Sequence, residues 1–107
     1  MPRLFINYVI CNQRSESSGS EDEIYLKING KKVWPDGNYE NIKQGQRLDI
    51  NYSEDIRGDV TVELWEYDDI SPDDLLGSVT ANEYTLGTHT GHGNGDGGRY
   101  EINYEVR

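Results

Sequence analysis

Period-two alternation of apolar and polar residues, repeated along the whole chain, narrows the possible folds more than any other feature. Tyr100, Ile102, Tyr104 and Val106 alternate with Glu101, Asn103 and Glu105, the cleanest example. Val60, Val62 and Leu64 alternate with Thr61, Glu63 and Trp65, and Leu48, Ile50 and Tyr52 with Asp49, Asn51 and Ser53. Ile24, Leu26 and Ile28 alternate with Tyr25, Lys27 and Asn29. Each run places one face on a core and the other in solvent. Near the N-terminus, Leu4, Ile6, Tyr8 and Ile10 interleave with Phe5, Asn7, Val9 and Cys11, apolar on both faces, which predicts a central strand. Asn29-Gly30 predicts a tight hairpin turn into a return strand over residues 31–34. Residues 76–81 form a further candidate strand, with room to extend to Leu86. No segment carries a capped helical period. About seven to eight short strands separated by turn-rich loops predict an all-β antiparallel sandwich. The 107 residues suffice for one such domain, residues 1–107, and not for two. Residues 13–20, 35–46 and 87–98 read as loops, the last as a mobile Gly-rich hairpin loop.

The strand ending at Leu64 runs into Glu66, Asp68, Asp69, Asp73 and Asp74, five carboxylates within nine residues around one turn containing Pro72. Like charges held this close repel, and a hard cation that prefers oxygen ligands relieves the repulsion.

Two blocks carry a family resemblance. LFINYVICNQRSESSGSEDEIYLKI and DVTVELWEYDDISPDDLLGSV, together nearly half the chain, resemble the opening strands and third loop of the C2 domain family. That family is the calcium- and phospholipid-binding β-sandwich of protein kinase C and synaptotagmin. The resemblance implies a C2-like Greek-key sandwich with Ca2+ as its cofactor. Carried over by position, Glu66, Asp68 and Asp74 match the third-loop ligands, ahead of Gly77, with the Tyr67 carbonyl and a Ser71 oxygen beside them. Glu16 and Asp22 match the first-loop pair by their spacing. Anchoring on Tyr25 instead places Glu23 in the second position, so Asp22 and Glu23 both stand as candidates. Glu replaces the family's Asp at 66 and at 16, and the extra methylene alters the bite of each carboxylate. The partners implied are a phospholipid head group, a protein or a carbohydrate, met by a monomeric module.

Charge and cysteine content exclude other classes. Twenty Asp plus Glu against ten Lys plus Arg give a formal charge of −10, which repels nucleic acid phosphates. Cys11 is the only cysteine, so neither an internal disulfide nor a thiolate metal cluster is available. It reads as a buried, inert thiol. No stretch has transmembrane length, and MPRLFINYVICNQR lacks the long apolar core of a signal peptide. The expectation is a soluble chain, cytoplasmic or a module of a larger protein. No nucleophile elbow, phosphate loop or zinc-protease histidine pair is present, so no enzymatic role is expected. His89, His92 and Asp96 offer zinc-type ligands, but their spacing fits no single strand face. A calcium-binding module and a calcium-independent sandwich for protein interaction or structural support remain the two function classes.

Overall fold

The computed structural model describes residues 2–15 and 21–107. These form nine strands: β1 (Arg3–Gln13), β2 (Glu21–Ile28), β3 (Lys31–Trp34), β4 (Glu40–Lys43), β5 (Arg47–Asp55), β6 (Asp59–Glu66), β7 (Asp74–Asn82), β8 (Gly87–Gly93) and β9 (Arg99–Val106). One sheet has the order β5-β1-β9-β8. The other runs β3-β2-β6-β7, with β4 on the same edge of β2 as β3. Every pairing is antiparallel. Between the sheets lies one core, formed by Leu4, Ile6, Val9, Ile24, Leu26, Val62, Leu64, Leu76, Ile102 and Val106 among others.

β1 is central, flanked by β5 and β9. Its doubly apolar sequence has a local cause. The register shifts between Ile6 and Tyr8 in both ladders, so a bulge at Asn7 exchanges the two faces. Leu4 and Ile6 point into the core before it, and Val9 and Cys11 after it. The Asn7 amide donates to Asn103 Oδ1 at 2.9 Å and fixes the bulge. At the β2–β3 hairpin, Asn29 (φ 51°) and Gly30 (φ 82°) both adopt positive φ, the geometry that the Asn-Gly pair favours.

Two strands lie where the sequence reads as loop. β4 carries one core residue, Ile42, too little to make a pattern. β8 occupies most of the Gly-rich segment expected to be mobile. It is a regular edge strand, with Gly91 opposite Ile102 and Gly93 opposite Tyr100 of β9. Here the glycines serve packing between the sheets. A Cβ on Gly93 would lie 2.7 Å from Gly77 Cα and from the Leu76 carbonyl oxygen, and one on Gly91 would overlap Val79. β7 and β8 belong to different sheets, and only hydrogen side chains let their backbones come this close. Predicted extension of β7 to Leu86 does not occur; the strand ends at Asn82.

Candidate functional site: an acidic cup at one end of the sandwich

The ladders bring the end of β6 and the start of β7 together, because Glu66 pairs with Asp74. Ile24 of β2 is the other neighbour of Glu66. Gly93 pairs with Tyr100, so the turn joining β8 to β9 opens at the same end, where Tyr100 donates to Asp22. That turn, Gly95–Gly97, holds Asp96 in a left-handed conformation (φ 52°). Gly95 lies against the Leu75 carbonyl and cannot accept a side chain, so β7 itself sets where Asp96 sits.

The result is a cup of three carboxylates. One oxygen each of Glu66, Asp74 and Asp96 lies within 4.8 Å of the other two. Glu66 is buried, Asp74 half-buried and Asp96 exposed, so the cup opens outward. Cross-strand like charges such as Glu66 and Asp74 destabilise the sheet that carries them. Burial raises the Glu66 carboxyl and the hydrogen bond from Ser15 opposes the rise, while the field of Asp22, a hydrogen bond to it and the charge of Asp96 add to it, so that the carboxyl stands at about 7. Asp74 is also raised, by burial first and then by Asp96.

Behind the cup lies a buried polar layer. Asp22, with no exposed surface, accepts hydrogen bonds from the Ser15 amide (2.9 Å), the Ser15 hydroxyl (2.9 Å) and the Tyr100 hydroxyl. The Ser15 hydroxyl also lies 2.8 Å from Glu66 Oε1. Burial, then the bond to Asp22, raises the Tyr100 phenol far above its ordinary range.

The other sequence candidates take distinct places. Glu23 neighbours Asp22 on β2 and so faces the opposite side of the sheet. There it accepts from the Tyr39 hydroxyl, and its backbone oxygen accepts the Tyr67 amide at 2.8 Å. The Tyr67 ring stacks on Tyr39 at 5.1 Å. Asp68 closes the tip of its own loop, accepting from the Ile70 and Ser71 amides (2.8 and 3.1 Å) and the Ser71 hydroxyl (2.8 Å). Those bonds, the Ile70 amide first, lower its carboxyl below the ordinary range. Its field nonetheless reaches Asp74. Asp73 accepts from the Tyr25 hydroxyl and from the Asp68 amide (2.9 Å), which braces the same loop. Glu16 lies outside the described residues. Glu66 and Asp74 are thus brought together, with Asp22 directly behind Glu66. Asp96 joins them, although its segment reads in sequence as a mobile loop. Among the described residues, Asp96 groups with these carboxylates and not with His89 and His92. His89 instead packs on Tyr104 (5.3 Å) with Nε2 3.0 Å from the Thr85 carbonyl oxygen.

The donor set fits a calcium ion. Calcium takes six to eight oxygen ligands at about 2.3–2.6 Å, so oxygens sharing one ion are separated by up to about 5 Å. The three carboxylates meet that spacing.

Two antiparallel sheets with end loops that carry carboxylates define the class: a β-sandwich with an acidic end. No family model matches the sequence, and no curated protein matches it. Solved structures place the fold more closely. A structure described as that of a C2 domain superposes with a TM-score of 0.55 at 17% identity, covering 98% of this chain and 96% of the other. The first C2 domain, domain A, of a plant Extended Synaptotagmin 1 gives 0.56 at 8% identity, covering 98% and 90%. The paired C2 domains, A and B, of Extended-Synaptotagmin 2 give 0.59 at 13% identity, covering 99% of this chain and 39% of that longer chain. The protein has the C2 fold, in a divergent form.

Proposed function

We propose that this protein is a calcium-binding module of the C2 type, in which Glu66, Asp74 and Asp96 hold the ion. One observation carries the reading: carboxylates from β6, β7 and the β8–β9 turn converge to within 4.8 Å, where burial and neighbouring charge raise the carboxyls of Glu66 and Asp74. A divalent cation supplies the positive charge that offsets this repulsion, together with coordination positions open to water or a partner's oxygen. Asp68 is the further carboxylate this reading gives to the rim, with the Tyr67 carbonyl and the Ser71 hydroxyl as neutral oxygens beside it; Glu16 is a candidate ligand by its spacing in the sequence alone. Binding stiffens loops that β6, β7, β8 and β9 already position, and the core stays as it is.

Docking of the loaded module to a phospholipid head group is the output we assign. Ile70, 97% exposed at the tip of the Asp68 loop, is the apolar residue such docking would insert. The formal charge of −10 opposes anionic lipid, and a bound divalent ion offsets part of the negative charge at the cup.

The calcium-independent reading also has an observation in its favour. Asp22 and Asp68 already have hydrogen-bond partners within the protein. An amide-resolved calcium titration at pH 7.5 separates the two, followed by vesicle sedimentation in calcium and in chelator. Shifts concentrated in residues 66–75 and 94–98 support the proposal, and an unchanged spectrum at millimolar calcium removes it. Shifts without vesicle binding would retain the ion site and assign the output to a protein or carbohydrate partner.

A further inference from the structure

Ser15 follows the last residues of β1 and meets two carboxyl groups that come from different strands. Its hydroxyl lies 2.9 Å from Asp22 Oδ1 and 2.8 Å from Glu66 Oε1, and its amide donates to Asp22 Oδ2 at 2.9 Å. Tyr100 of β9 donates to the same Oδ2. Asp22 shows no exposed surface, Tyr100 1% and Ser15 3%. β9 lies in one sheet, and β2 and β6 lie in the other. The four side chains therefore join the two sheets immediately beneath the cup.

We infer that Ser15 and Tyr100 are positioning residues of the cation cup: they hold Asp22 as a buried anchor rather than an ion ligand, and through the Ser15 hydroxyl they aim the Glu66 carboxyl at Asp74 and Asp96. This rests on the calcium reading above. Asp22 Oδ2 already accepts from the Ser15 amide and the Tyr100 hydroxyl, and turning the carboxylate toward an ion would break these bonds inside the protein, where an unpaired polar group is costly. A Glu at the end of β6 has one more rotatable bond than an Asp, so its carboxyl needs a tether to keep one position, and Ser15 Oγ provides it. Losing a group that orients a metal ligand typically costs about 10–100-fold in metal affinity.

The test uses the whole chain with Ser15→Ala, Tyr100→Phe and, as a ligand control, Asp74→Asn. Calcium affinity is measured by calorimetry at pH 7.5, and the melting temperature in chelator is recorded for each variant. Ser15→Ala is expected to weaken calcium binding about 10–100-fold while the protein stays folded at the temperature of the titration. Tyr100→Phe keeps the ring in the core, loosens the anchor at its far end, and weakens binding several-fold. A purely structural role would lower the melting temperatures and leave the affinity of the folded protein unchanged. Wild-type affinity in both Ser15→Ala and Tyr100→Phe, with Asp74→Asn impaired, overturns this inference and leaves the calcium reading standing. Absence of binding to the wild type overturns both.

Discussion

Replacing Glu66 with Gln tests the electrostatics of the cup without any ion present. The carboxyl stands at about 7 in the fold against an ordinary value of 4.5, so the folded chain holds this proton more tightly than the unfolded chain. Stability from the protonated group is therefore complete below about pH 4.5 and is lost progressively as the pH rises through 7. With 1.36 kcal/mol per tenfold change, the loss between pH 5 and pH 8 comes to about 2.5 kcal/mol. Gln keeps an acceptor for Ser15, provides a donor toward Asp22, and never ionises. Urea unfolding in chelator at pH 5, 6, 7 and 8 should show the wild type losing about 2.5 kcal/mol relative to Glu66→Gln across that range. For a domain of this size that equals a relative shift of roughly 10–20 °C in melting temperature. Calcium at about 100 times its dissociation constant would return about 2.7 kcal/mol to the wild type and far less to the variant. Parallel pH profiles for the two proteins would refute the reasoning, since they would mean that Glu66 ionises in the fold as easily as in the unfolded chain.

Other perturbations separate the parts of the account. Asp96→Asn should raise the melting temperature in chelator by removing repulsion, and should weaken calcium binding at least tenfold by calorimetry. Gly93→Ala places a methyl 2.7 Å from Gly77 Cα and the Leu76 oxygen, so chemical denaturation should show a loss of about 1–3 kcal/mol. Gly37→Ala, with nothing within 4 Å of the added carbon, should change stability by less than about 0.5 kcal/mol. Ile70→Ser should leave calcium affinity and melting temperature as they are and reduce calcium-dependent sedimentation with anionic vesicles; unchanged sedimentation would rule out Ile70 as the inserting residue.

Much of the sandwich is legible because burial on one face imposes period two, as β2, β6 and β9 display. The parts that escape have physical reasons. Glycine in strands is scarce, so seven residues from Gly87 to Gly93 read as a loop, although close approach of β7 and β8 demands glycine at Gly91 and Gly93. A bulge at Asn7 makes β1 apolar on both faces, so its alternation does not say which residues face inward. At the site, carboxylate density around Pro72 marks Glu66, Asp68, Asp69, Asp73 and Asp74 alike, and the C2 resemblance selects Glu66, Asp68 and Asp74, of which Asp68 instead bonds within its own loop. Asp96 is not legible, because only the pairing of β8 with β9 and the packing of Gly95 on Leu75 carry it to Asp74. Asp22 and Glu23 are separable by parity: Asp22 lies in phase with the buried Ile24, Leu26 and Ile28, and Glu23 does not. That phase marks which one faces inward, yet burial beneath Ser15 and Tyr100 depends on β1 and β9 and appears only in three dimensions.

On the calcium reading, side chains from two connections of the sandwich, β6–β7 and β8–β9, converge on one divalent ion. Crystals of the full chain grown with calcium at pH 7.5 test it most directly, by an anomalous difference map. The account predicts a peak within about 2.3–2.6 Å of carboxylate oxygens from Glu66, Asp74 and Asp96 together. A map with no ion there at millimolar calcium, or an ion held by Glu23 or Asp69 with the three carboxylates unchanged, would contradict it.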